Sequence, residues 1–94
     1  MVNKNILKIR ENLDKLDNQF LNLIKKRTKY VDQVLKNKKF KKDIIDKKRI
    51  KIILKNIFKK SKKNQIDTLI TKRIWKSIIM AHIDYEYRNF KKKR

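Results

Sequence analysis

Residues 6–39 read ILKIRENLDKLDNQFLNLIKKRTKYVDQVLKNKK, and this stretch decides the fold. Its apolar side chains recur in alternating steps of four and three residues, which places them on one face of an α-helix. That face consists of Ile9, Leu13, Leu16, Phe20, Leu23, Tyr30 and Val34, with Arg27 where an apolar residue is missing. The spacing predicts one long helix from about Asn5 to Lys38.

The length of this helix predicts a homodimer. At 1.5 Å per residue it would extend about 50 Å, whereas a compact domain of this size has a radius of gyration of only about 12 Å. The rest of the 94-residue chain cannot easily cover its apolar face. Pairing of the first helices of two copies is the simplest way to bury that face.

The remaining sequence predicts two further helices within a single domain, residues 1–94. KNKKFKKD, residues 36–43, is a basic loop, and KKSKKNQ, residues 59–65, breaks the apolar pattern. Between them lies a short second helix with Ile50, Ile53, Leu54, Ile57 and Phe58 on its apolar face. A long third helix follows the capping residues Asp67 and Thr68 and precedes a basic tail at residues 91–94. Because glycine and proline are absent, the chain is expected to be all-α.

The charge of the chain is strongly positive, with 30 Lys and Arg against 9 Asp and Glu and a formal net charge of +21. Such an excess is typical of proteins that bind nucleic acid, an anionic membrane or an acidic small molecule. Biased codon usage would also produce an excess of lysine. A membrane-surface helix is disfavoured because packing between the helices accounts for the apolar faces.

Several kinds of chemistry are not expected. Cysteine is absent and His82 is the only histidine, so the sequence predicts neither a disulfide nor a metal site. The first residues, MVNKNILKIREN, contain no apolar signal core. No apolar run approaches the ~18 residues that span a bilayer. A cytoplasmic location is therefore the default expectation.

Four polar residues stand where the pattern predicts burial. Lys38 lies eleven residues after Arg27, about 20° away around a continuous helix. A buried cation needs a countercharge, either from a carboxylate of the protein or from a ligand. His82 and Glu86 lie one turn apart on the third helix. They are either a satisfied core histidine beside a glutamate paired to Lys or Arg, or parts of a site.

The first helix resembles that of the all-helical, type II chorismate mutases, whose signature is IRxxIDxxDxxLxxLLxxR with a lysine eleven residues later. Residues 9–27 follow this motif and Lys38 stands at the lysine position. DKKRIKIIL, residues 46–54, is similar to the family's entry into the second helix. The resemblance implies three helices in an intertwined homodimer.

The resemblance also implies the site residues. Arg27, Lys38 and Arg49 would come from one chain and Arg10 from its partner, and together they would bind a dianionic small molecule, chorismate or isochorismate. The family rearranges chorismate to prephenate in aromatic amino-acid biosynthesis without a cofactor, by positioning and charge complementarity. Arginines would clamp the carboxylates, and Lys38 would stabilise charge on the ether oxygen. Lys38, Glu86 and Arg27 are the expected catalytic residues.

Three further expected site residues depart from the family pattern. Ile50 replaces a glutamate that holds a substrate hydroxyl, His82 aligns with a serine, and Glu86 aligns with a glutamine that contacts the ether oxygen. Some fungal mutases also have glutamate there, where it donates a hydrogen bond only when protonated.

These departures leave other functions open. IIMAHIDYEYRNF, residues 78–90, is similar to the isochorismate pyruvate lyases, which form salicylate, and a mutase for an amino-substituted chorismate is a further alternative. A basic helical protein that binds nucleic acid is an alternative from another class, but it would not explain Arg27. We expect neither membrane binding nor specific nucleic-acid binding.

Overall fold

The computed structural model describes residues 3–91, which are almost entirely helical. The helices are α1 (Lys4–Lys36), α2 (Lys47–Lys63) and α3 (Thr68–Asn89), with a short 3-10 helix (Lys41–Asp43) between α1 and α2. No strand occurs within these residues. The predicted all-α class, with a long first helix and a shorter second one, is confirmed. Residues 92–94 of the predicted tail lie outside the described residues.

The first helix ends two residues earlier than predicted. Its last turn tightens, because the backbone N–H of Asn37 donates to the carbonyl of Val34 and that of Lys38 to Leu35, both at 3.0 Å. Lys38 therefore lies in the connection between α1 and α2. The sequence analysis placed Arg27 and Lys38 on one continuous helix, and this was wrong, because α1 ends at Lys36.

The second helix is longer than predicted, since it continues through the KKSKK of residues 59–63. The apolar pattern breaks there because the inward-facing residue is Ser61, which is buried. The helix ends in a Schellman motif, in which Gln65 donates to the carbonyl of Lys62 and Ile66 to that of Ser61. Gln65 takes the left-handed conformation, with φ of 58°, at a position where glycine is usual.

Aspartates cap the N-termini of α2 and α3. Asp46 accepts a hydrogen bond from the backbone N–H of Arg49 at 3.0 Å. Asp67 accepts from the N–H groups of Leu69 and Ile70, which confirms its predicted capping role. These caps fix where the two helices begin.

The contacts divide the chain into two units between Val31 and Asp32. The first unit consists of most of α1, and residues 3–26 are all exposed. We call its large apolar side chains the seam. They are 40% to 63% exposed: Ile6, Leu7, Ile9, Leu13, Leu16, Phe20, Leu21, Leu23 and Ile24. The predicted apolar face is therefore open to solvent in the single chain.

The second unit contains the end of α1, the connection, α2 and α3, and α2 packs on α3. Its buried side chains are the apolar Leu35, Ile44 and Ile79 and the polar Ser61, Thr71, His82 and Glu86. The prediction that all helices form a single domain stays a prediction. Within residues 3–91, no helix has the length and apolar character needed to cross a bilayer.

Candidate active site

The centre of the candidate site is an ion pair between the α1–α2 connection and α3. The Nζ of Lys38 lies 2.9 Å from Oε2 of Glu86, and the two side chains are only 17% and 10% exposed. Removing two charges from water is costly unless each is paired and hydrogen-bonded. Glu86 is therefore paired to a lysine, as one of the two alternatives from the sequence had it, and that lysine stands at the lysine position of the family motif.

Lys38 makes a second hydrogen bond, to a backbone carbonyl. Its Nζ also donates to the carbonyl oxygen of Ile44 at 3.1 Å. Ile44 is only 2% exposed, so this acceptor is fixed by the core. An ammonium has three N–H donors, and the described residues take two of them. Lys38 is thus held in place with one donor left for another acceptor.

The third helix brings His82 and Glu86 to the interior of the second unit. Both are 7% exposed and lie one turn apart, as the sequence predicted. The neighbouring Tyr85 donates from its hydroxyl to Oδ1 of Asp32 at 2.8 Å, which ties the last turns of α1 to α3. This hydrogen bond, with some burial and the negative charge of Asp32, raises the pKa of Tyr85 above its ordinary value.

The remaining candidate residues lie on different parts of the chain. Arg10 and Arg27 belong to the first unit, where Arg10 is exposed and Arg27 is half-buried. Arg49 and Ile50 belong to the second unit, in the first turn of α2, with Arg49 exposed and Ile50 half-buried. Lys38 and Glu86, both in the second unit, are joined by a direct side-chain contact.

Two contacts that support this site were not predicted: the one from Lys38 to the carbonyl of Ile44 and the one between Tyr85 and Asp32. The carbonyl of Ile44 carries no side-chain signal, and only the fold reveals it. The contact between Asp32 and Tyr85 had a weak signal, since Tyr85 precedes Glu86 and Asp32 lies near the end of α1. Within residues 3–91, no cluster of three His, Asp or Glu side chains is placed to hold a metal ion.

A comparison with known protein families identifies the family of the chain. The family model described as chorismate mutase type II matches residues 9–87. The chain belongs to this family. Its members are chorismate mutases, isomerases that convert chorismate to prephenate in aromatic biosynthesis, so the predicted family and enzyme class are confirmed. The match includes every candidate site residue from Arg10 to Glu86. No curated protein and no solved structure matches the chain.

Proposed function

We propose that this chorismate mutase acts through Lys38 as its principal catalytic group. The observation that carries the proposal is the largely buried ammonium, held by Glu86 and the Ile44 carbonyl with one donor remaining. As the ether bond of chorismate breaks, negative charge gathers on its oxygen. A fixed ammonium at that oxygen stabilises the transition state more than the ground state.

Three arginines hold the two carboxylates of the substrate in this proposal. A planar guanidinium matches a carboxylate through two parallel hydrogen bonds. Arg27 and Arg49 act from one chain and Arg10 from a second copy, as the family motif implies. Fixing both carboxylates selects the compact conformer in which the reacting carbons are close, which lowers the barrier without any covalent step.

The proposed second copy pairs with the first through α1. The exposed seam supports this, because a surface of nine large apolar side chains is costly in water. Complementation tests the shared site: Arg10→Ala and Lys38→Ala are each expected to be inactive alone. When they are mixed and allowed to exchange chains, one of the two pockets in each mixed dimer regains both residues. A mixture that stays inactive despite chain exchange would place Arg10 in its own chain's pocket.

Ile50 and His82 line the proposed pocket and bear on substrate choice. Ile50 offers no acceptor for a substrate hydroxyl, so recognition depends more on the carboxylate contacts. The family match favours the mutase over the isochorismate pyruvate lyase, the amino-substituted substrate and the nucleic-acid-binding alternatives. The cytoplasmic location stays a prediction.

An assay of the purified chain with chorismate and isochorismate, given separately, tests the function. We expect prephenate from chorismate and no salicylate from isochorismate. Salicylate as the main product would favour the lyase and contradict the proposal.

Substitution of Lys38 tests its catalytic role, and the neighbouring Lys39 provides the control. Lys38→Ala is expected to lower turnover about a thousandfold, since one contact to a developing oxyanion contributes ~3–4 kcal/mol. Lys39→Ala removes an exposed lysine one residue later and should leave turnover nearly unchanged. Circular dichroism checks that both variants fold, and Lys38→Gln serves if the alanine variant does not. Near-normal turnover in folded Lys38 variants would remove Lys38 from the mechanism.

A further inference from the structure

The positive charge is concentrated on α2. Nine of the 17 residues of α2 are Lys or Arg, and none is acidic. In α1, 33 residues contain nine cations and four acids. In α3, 22 residues contain four cations and two acids. The excess of cations over acids is therefore nine in α2, five in α1 and two in α3.

Most of these cations share one face of α2. At about 100° per residue, seven lysines fall within an arc of about 160°, opposite the residues that pack on α3. We call them the lysine face, and all are exposed: Lys47, Lys48, Lys51, Lys55, Lys59, Lys62 and Lys63. Among the described residues, no carboxylate forms an ion pair with any of them, and Lys62 lies 5.4 Å from the ring centre of Phe58. The lysine face is thus a charged surface without countercharge.

We propose that the lysine face binds the phosphate backbone of a nucleic-acid duplex, without regard to sequence. The face extends about 24 Å along the helix axis, at 1.5 Å per residue. The phosphates of one strand of a duplex recur every 3.4 Å of its axis, so a cationic face of this length can lie against several phosphates at once. Charge complementarity over this distance selects a regular polyanion as the partner.

The chemistry of the face favours backbone contact over base reading. Lysine is a flexible point charge that suits phosphates, whereas base edges are read mainly by planar Arg, Asn or Gln side chains. The structure favours a duplex over a membrane surface as well. The half-buried Ile53, Leu54 and Ile57 of α2 face α3. The exposed apolar side chains of α2, Ile52 and Phe58, lie about 120° apart around the helix and form no continuous strip for insertion between lipids.

Two triple variants with the same change of charge test the proposal. One is Lys51→Gln, Lys55→Gln and Lys59→Gln, at the centre of the lysine face. The other is Lys72→Gln, Arg73→Gln and Lys76→Gln, at exposed positions of α3. Each lowers the net charge by three, and none of these residues belongs to the proposed active site. Binding of the whole chain to a fluorescent 20-base-pair DNA duplex is followed by anisotropy across a salt series.

We expect the α2 variant to lose affinity at least about tenfold and its salt slope to fall by about 2.7, or 0.9 for each phosphate contact removed. The α3 variant should lose less than about threefold. Equal losses would overturn the proposal, because binding would then follow net charge alone. So would undetectable duplex binding at low salt, or tighter binding through the same lysines to phosphatidylserine vesicles. Circular dichroism confirms that both variants remain helical.

Discussion

The two units of the chain differ in what they bury. In the first unit, the seam of α1 leaves nine large apolar side chains between 40% and 63% exposed. In the second unit, four of the seven buried side chains are polar: Ser61, Thr71, His82 and Glu86. Both units expose large apolar side chains, but among residues 3–91 the buried side chains all belong to the second unit, and most of them are polar.

The difference shows that the two units meet different physical requirements. Exposed apolar area is reduced only by covering it, so the first unit requires a partner surface. Buried polar groups are tolerated only when each finds a hydrogen-bond partner, so the second unit requires internal complementarity. Within the described residues, no buried side-chain nitrogen or oxygen lacks such a partner. Substitutions in the seam therefore test dimer formation, and substitutions of the buried polar residues test the second unit.

A charge placed in the seam should have the largest effect. Phe20→Glu removes a side chain whose burial contributes ~2–3 kcal/mol, and in a symmetric dimer the loss occurs twice. The dissociation constant of the dimer should rise about a thousandfold or more. Analytical ultracentrifugation over a concentration series measures this rise, and turnover should fall at concentrations where the variant is monomeric.

Asn22→Glu is the control for this substitution. It introduces the same side chain two residues away, about 200° around α1 and so on the opposite face. It should leave the dissociation constant nearly unchanged. If the two variants dissociate equally, or if the native chain is monomeric at high concentration, the seam is not the dimer interface.

Breaking the buried ion pair should have the next largest effect. Glu86→Ala leaves the ammonium of Lys38 with only the Ile44 carbonyl, which should lower the free energy of unfolding by about 3 kcal/mol. Glu86→Gln keeps an oxygen acceptor and should cost about 1 kcal/mol. Urea denaturation at a fixed protein concentration measures both, and equal losses would mean that the charge of Glu86 does not stabilise the unit.

The same pair of variants tests the catalytic role of Glu86. Glu86 accepts from Lys38 in the structure, whereas donation to the ether oxygen requires a protonated carboxyl. If it donates during the reaction, turnover of the native chain falls as the pH of the assay rises. Glu86→Gln should then flatten the profile, because an amide donates at any pH. A profile that is unchanged in Glu86→Gln rejects the donor role.

The sequence predicted the helices well because their signals are local. The 3.6-residue period of α1 and the cap at Asp67 are properties of neighbouring residues. The end of α2, which the sequence placed too early, depended on a tertiary contact. Ser61 reads as a break in an apolar pattern, yet its hydroxyl finds a buried partner on α3, so α2 continues.

The site was predicted to a smaller extent, since its parts come from distant segments. The motif spacing identified Lys38, and the polar interruption of α3 identified Glu86, but only the fold places them 2.9 Å apart. The position of Lys38 around α1 was inferred from a helix that ends before it. The Ile44 carbonyl has no side-chain signature, so no reading of residue types would find it.

The smallest predicted effect concerns the buried hydroxyl pair between α2 and α3. The hydroxyls of Ser61 and Thr71 lie 2.8 Å apart, and Ser61 also donates to the carbonyl of Ile57 at 2.6 Å. A hydroxyl has one proton, so Thr71 donates to Ser61, and its 3.3 Å contact with the carbonyl of Thr68 is an alternative. Thr71 therefore has a second acceptor for its proton, whereas Ser61 has no second donor among the described residues.

This asymmetry predicts an order of stabilities. Thr71→Val leaves Ser61 without its incoming donor and should cost about 1 kcal/mol. Ser61→Ala should cost less, because Thr71 can turn its proton to the Thr68 carbonyl. The double variant should cost less than the sum of the two, and the exposed Ser77→Ala on α3 should change the free energy of unfolding by less than about 0.5 kcal/mol. Strict additivity in urea denaturation would mean that the two hydroxyls do not interact, and α2 would then pack on α3 without a contribution from this hydrogen bond.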